Sequence, residues 1–483
     1  MSRINRSSAR ANGRGAAAAI IAAVVAAAPA VAPAQKSAAH ATRSEISIPF
    51  EHYQLSNGLN VILSPDHSVP TVAVDMWYHV GSKNETPGRT GFAHLFEHVM
   101  FTGSGHVPYG LQDKLTEGVG GFNNGSTTND RTQYWEIVPS NYLESSIWLE
   151  SDRMGFLLDA LDTTKLNAQR DIVKNERRQS VDNQPYGRTN EIISAAMYPK
   201  DHPYNWPVIG SMVDLSAASP EDVKNFFRLY YAPNNASITI AGDFDPAQAK
   251  AWVQKYFGDL PRGKAIVRPQ VKLVTLASEK RLAYEDRVQV PRLTLSWPTV
   301  GGNHADDHVL DVLASVLAGS RTSRLQKELV YDRQWAASIG AQQRTNENGG
   351  EFRITLTPRP GHSLTELELA TDSIIQRLQK EGPTADEVAR AKAGIELGFV
   401  SGLESNLQKA EILSDGFVFH GDPGYYRNEY REAESVTAAE VKRVAGHYLT
   451  KGRVVLSVVP QGRKQDASKA EQSVIVTNDG AQR

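Results

Sequence analysis

The sequence predicts an α+β protein of two tandem homologous units, each a mainly antiparallel sheet with helices packed on one face. Three observations predict it. A strand-like run recurs in both halves, a helix–strand pair recurs at nearly the same separation, and the 483-residue chain exceeds what one core holds. Two domains of roughly 200 residues are the expectation for such a length.

The first recurring run is Val69-Pro70-Thr71-Val72-Ala73-Val74-Asp75-Met76-Trp77, matched by Val290-Pro291-Arg292-Leu293-Thr294-Leu295-Ser296-Trp297. Both alternate apolar and polar residues, as half-buried strands do. The second is a helix from Asp222 to Tyr230 followed by the strand Ser237–Gly242, matched by a helix from Glu440 to Tyr448 followed by Val454–Val459. Each pair is about 220 residues apart, and that agreement marks a tandem duplication. The units span 45–263 and 272–463. Residues 264–271 are the linker, where prolines and charges break the periodicity. The tail, 464–483, is polar and expected to be loosely held.

Charge and composition exclude several functions. The 52 basic and 54 acidic residues nearly cancel, leaving no electrostatic reason to expect nucleic acid or an anionic membrane as partner. No cysteine is present, which excludes disulfides, thiolate nucleophiles and cysteine-type zinc sites. Arg3, Arg6, Arg10 and Arg14 precede the apolar run Ala16–Ala28, and Ala32-Pro33-Ala34 follows with small residues. This reads as a signal peptide over 1–34 and implies a periplasmic protein. The alternative is a retained anchor, for which the run falls short of the roughly 20 residues a span needs.

The chemistry concentrates after Gly88. Phe92, Leu95, Phe96 and Val99 mark an amphipathic helix that carries His94 and His98. At i and i+4 the two imidazoles project from one face and can share one Zn²⁺. Glu97 lies near enough to touch a water on that metal without being a ligand. The order is the inverted form of the His-Glu-x-x-His zinc helix. A catalytic zinc usually has three protein ligands, so a third must come from elsewhere. A second helical run, Leu166–Ser180, offers Glu176, with Asp171 and Glu150 as competitors.

These residues resemble the pitrilysin/insulinase family of inverzincin peptidases, in the short bacterial branch near the β subunit of mitochondrial processing peptidase. The resemblance rests on Trp77-Tyr78-His79-Val80-Gly81-Ser82, His94-Leu95-Phe96-Glu97-His98 and Gly120-Gly121-Phe122-Asn123-Asn124-Gly125. Asp130-x-Thr132-x-Tyr134 and Val173-Lys174-Asn175-Glu176-Arg177-Arg178 extend it, and it covers roughly residues 45–460. It implies a zinc endopeptidase with one zinc per chain, held by His94, His98 and Glu176, and Glu97 as general base. It also implies that Gly120–Val138 contains an edge strand onto which a peptide substrate adds by backbone hydrogen bonds. Phe122, Asn124 and Gly125 would contact the substrate there.

Two positions depart from the family pattern. Seven residues before Glu176 the family usually carries a glutamate that supports the metal; here it is Gln169. The arginine–tyrosine pair that active single chains carry in later domains falls at Val330 and Ala337, which donate no side-chain hydrogen bond. The resemblance then implies a hetero-oligomer in which this chain forms half of a clamshell and a related subunit supplies that pair. His308 sits in the second unit's counterpart of the zinc helix, where Val312 replaces the second ligand, so one metal per chain is expected. His106 and His202 have no partner at helical spacing and are expected at the surface or beside the site. A non-catalytic peptide-binding subunit and a maturation protease dedicated to one precursor are the alternative readings.

Overall fold

The computed structural model describes residues 46–268 and 271–477. The leader and part of the linker therefore lie outside the described residues. The first six strands are β1 (Glu51–Gln54), β2 (Asn60–Pro65), β3 (Thr71–Tyr78), β4 (Phe122–Thr127), β5 (Thr132–Pro139) and β6 (Ala236–Gly242). The next six are β7 (Lys280–Asp286), β8 (Arg292–Thr299), β9 (Ala336–Asn346), β10 (Gly349–Pro358), β11 (Val454–Pro460) and β12 (Val474–Val476). They form two six-stranded sheets, ordered β1-β2-β6-β3-β5-β4 and β12-β7-β11-β8-β10-β9. Five strands of each sheet repeat the same order, as the internal repeat implies.

The outermost strand differs between the two. In the first sheet β1 precedes the repeat and pairs antiparallel with β2. In the second, β12 follows the repeat and pairs parallel with β7. The expectation of a loose tail after Gly462 is thus corrected. Val474-Ile475-Val476 is β-branched and completes a sheet edge, and the buried Ser468 hydroxyl donates to Glu368.

Each sheet packs its own helices on one face. In the first lobe Val72, Val74, Met76 and Tyr78 of β3 share a core with Phe92, Leu95, Phe96 and Val99. The opposite face of each sheet receives a helix from the other lobe. Helix Asn406–His420 lies across β2, β3 and β6, and helix Thr189–Met197 packs Ile192, Ile193, Ala196 and Met197 against β7 and β11. This exchange corrects the half-buried reading of β3, which is buried on both sides. Its polar residue Asp75 accepts hydrogen bonds from Gln133 (2.9 Å) and from Ser414 of the crossing helix (3.0 Å). A polar stripe on a strand signals water or a polar partner equally well. No described helix is long and apolar enough to cross a membrane.

Candidate metal and catalytic site

The helix Phe92–Val99 begins at Gly91, whose φ of 90° only glycine adopts without strain. Its N-terminus is held by Glu85, whose two carboxylate oxygens accept from the backbone N–H groups of Gly91 and Ala93, each at 2.9 Å. Acceptor oxygens there satisfy donors that a helix N-terminus otherwise leaves orphaned. Burial nonetheless pushes the Glu85 carboxyl up to about 8. Gly91 also abuts Gly210, since a Cβ on either would fall within 3.0 Å of the other's backbone. The adjacent segment is anchored by Arg177, which donates to the Gly210 carbonyl at 2.9 Å and pairs with Glu191.

That anchoring brings Glu176 to the two histidines. Glu176 is the penultimate residue of helix Thr163–Arg177, immediately before the wider π turn Arg178–Asp182. Its Oε2 lies 3.0 Å from His98 Nε2 and 3.6 Å from His94 Nε2. Ligands about 2.0–2.1 Å from a tetrahedral zinc stand roughly 3.4 Å apart, so these separations bracket the requirement. Glu176 Oε2 has no partner at hydrogen-bond geometry despite its close approach to His98. Two imidazoles and a carboxylate converging without satisfying one another fit a divalent zinc ion. Burial lowers His94 to about 4, which keeps its lone pair available, while contact with His98 holds Glu176 below the ordinary carboxylate range.

The competitors for the third position are elsewhere. Glu150 is fully buried and paired with Arg153, beside Glu136. Asp171 is exposed on the same helix as Glu176. Gln169 is half-buried two turns before Glu176 and makes no hydrogen bond to any of the three candidate ligands among the described residues.

Glu97 faces the edge strand. Its Oε2 accepts a 2.6 Å hydrogen bond from Thr127 Oγ1, and burial raises its carboxyl above the ordinary value. Among the described residues β4 is the edge of its sheet, bonded only to β5. Phe122 and Asn124 are exposed along it, and Asn124 Oδ1 accepts from the Gly125 N–H. Gly125 is buried instead. A Cβ there would lie 3.1 Å from Glu97 Cγ and 3.2 Å from both Phe101 and Tyr134. The missing Cβ lets β4 lie close against the Glu97 side chain. Sequence reasoning missed Glu85 and Thr127. Only the register of β4 on β5 could have pointed to Thr127.

The second lobe puts Val330 against its own core and leaves Ala337 exposed near the start of β9. His202, expected at the surface or beside the site, is buried and stacks on Tyr198 at 4.5 Å. His106 is exposed and pairs with Asp152 at 2.6 Å.

Comparison with known proteins adds independent evidence. The model of the insulinase family, peptidase family M16, matches residues 60–209, and that of the peptidase M16 inactive domain matches 217–395. The zinc protease PqqE of Helicobacter pylori is 29% identical over 402 residues, covering 82% of this chain and 90% of that protein. The β subunit of the mitochondrial-processing peptidase of Blastocladiella emersonii is 24% identical over 409 residues, covering 82% and 85%. The crystal structure of a protease from Helicobacter pylori superposes with a TM-score of 0.80 at 28% identity, over 85% of this chain and 99% of that one.

Proposed function

Because the chain belongs to the M16 pitrilysin/insulinase peptidase family, we propose that it is a zinc-dependent endopeptidase acting on unfolded peptides or small polypeptides. The observation that carries this reading is the convergence of His94, His98 and Glu176, with Glu97 presented beside them toward an open strand edge.

His94, His98 and Glu176 would hold the ion, which when bound supplies Lewis-acid polarisation of a carbonyl and a water of lowered pKa. The rest falls to side chains of this chain. The free edge of β4 receives an extended peptide as an added strand, so binding reads the main chain and tolerates varied sequences. Phe122 and Asn124 border that edge and contact the substrate. Glu97, oriented by Thr127, takes a proton from the attacking water and returns it to the departing amide nitrogen. Its raised affinity for protons, caused by burial, suits a group that must both accept and donate.

In the variant Glu97→Gln, bound zinc should stay at the wild-type level while cleavage of a fluorogenic peptide drops about 10²–10⁴-fold. A variant that cleaves at the wild-type rate would refute the assignment.

We further propose that full activity needs a related subunit carrying the arginine–tyrosine pair that Val330 and Ala337 cannot supply. The assay is the purified chain alone against the chain co-purified with its partner, and full activity from the chain alone would sink the idea. The basic, then alanine-rich leader supports a periplasmic site of action. Detection of the intact protein in the cytoplasmic fraction alone would contradict that.

A further inference from the structure

A second set of ligand-bearing side chains lies away from the catalytic cluster. Asp415, His420 and Glu429 have candidate ligand atoms within 4.8 Å of one another, and so do Asp307, His308 and Asp311. Both groups line a single cavity of about 480 Å³, closed on its other side by Trp77, Thr128 and Arg131 of the first lobe. Three helices therefore meet around it. Asp415 and His420 lie on the helix that crosses the first sheet, Glu429 lies on helix Tyr426–Ser435, and Asp307, His308 and Asp311 sit in the first turns of helix Asp306–Ala318.

His420 is the informative member. Its side chain is only 6% exposed, its ring is stacked on Tyr425 with centroids 3.6 Å apart, and its Nδ1 has no hydrogen-bond partner. Its Nε2 stands 3.7 Å from Glu429, beyond hydrogen-bond reach. A buried polar atom left unsatisfied is costly, so an unpartnered nitrogen in a polar cavity points to a ligand there. The carboxylates point the same way. Asp311, Asp415 and Glu429 all face this one cavity. Arg131, which also lines the cavity, donates to the Ser126 carbonyl at 3.0 Å and lies over the Trp77 ring.

We propose that this interlobe cavity is a second metal site, taking a divalent transition-metal ion of the zinc or manganese kind through His420, Asp415 and Glu429, with Asp307, His308 and Asp311 facing it. Calcium and magnesium prefer all-oxygen shells, whereas imidazole with carboxylate suits the later divalent metals. A guanidinium or ammonium group from a peptide would be satisfied by the carboxylates alone and would leave the His420 nitrogen unexplained. The ion would join the helix that covers the first sheet to two helices of the second lobe. Its role is then to hold the lobes together, separate from hydrolysis.

The test uses the full chain with His94→Ala and His98→Ala, which removes the catalytic cluster. Calorimetric titration with zinc chloride should still show one equivalent bound, and saturating zinc should raise the melting midpoint by roughly 3 °C. Adding His420→Ala and Glu429→Gln should abolish both effects. If that combination fails to fold, Asp415→Asn alone should weaken zinc binding at least tenfold. No zinc bound by the His94/His98 variant overturns the proposal, as does binding that survives the added substitutions unchanged. Calcium binding as tightly as zinc, or an arginine-containing peptide binding there independently of His420, overturns it as well.

Discussion

The Thr127 hydroxyl donates a 2.6 Å hydrogen bond to the Glu97 carboxylate, joining the edge strand to the helix that carries both histidines. The same strand that would receive a peptide therefore also orients the base. Thr127→Val keeps the shape and removes the donor. Peptide cleavage should fall about 10–100-fold in kcat, the usual range for residues that orient a metal site. KM and zinc content should hardly change, and Thr127→Ser should restore most of the rate. An equal loss in the serine variant would mean that the methyl packing, and not the hydrogen bond, is what matters.

Gly125 and Glu97 are related by contact alone. The missing Cβ would meet the Glu97 side chain at 3.1 Å with Phe101 and Tyr134 close behind, a space tighter than ordinary packing. Gly125→Ala should displace the Glu97 carboxylate. Cleavage should fall at least about tenfold, with an overpacking cost of about 1–3 kcal/mol in unfolding free energy. Activity at the wild-type level in this variant would show that β4 yields freely.

Removal of the metal gives a third expectation. Chelation should abolish cleavage, and added zinc should restore it. Glu176→Gln keeps one oxygen but loses the charge that faces both histidines at 3.0 and 3.6 Å. Its zinc affinity, read by competition with a chromogenic chelator, should drop by at least about tenfold. Retained affinity in this variant would return Asp171 to consideration.

Part of this site was legible along the chain because its logic is local. His94 and His98 declare themselves by a four-residue spacing on an apolar helix, and the duplicated strand order follows from runs that repeat at one separation. Glu176 could be nominated but not separated from Glu150 or Asp171, since proximity across helices has no period. Thr127, Glu85 and the burial of Gly125 depend on strand register and on a close approach between chain segments. Neither is written in any window of residues. The crossing of helix Asn406–His420 onto the first sheet is likewise invisible, because polar groups such as Asp75 and Ser414 read as solvent-facing until they are paired. The tail strand was missed for a simpler reason. Three β-branched residues, Val474 to Val476, are too few to show a period.

The lobes are also tied by an ionic cluster whose pH response has a definite sign. Glu347 of the second lobe accepts from His79 at 2.6 Å and is paired with Lys83, both on the first lobe. Its backbone N–H donates to Asp130 at 3.0 Å. Burial pushes the Glu347 carboxyl upward, but His79 and Lys83 outweigh it and hold it at about 2. A carboxyl depressed from its ordinary 4.5 stabilises the fold above that pH, and the contribution is lost as pH falls toward 2. Burial also lowers His79 below 6.5, against the pull of Glu347. That imidazole stays neutral in the fold, so its contribution too is present at neutral pH and lost on acidification. Glu347→Gln should therefore cost on the order of 1–3 kcal/mol at pH 7, and the deficit against wild type should shrink by pH 3. Urea unfolding at both pH values measures the difference. A deficit that is the same at pH 7 and pH 3 would mean that the carboxylate's charge plays no part in joining the lobes.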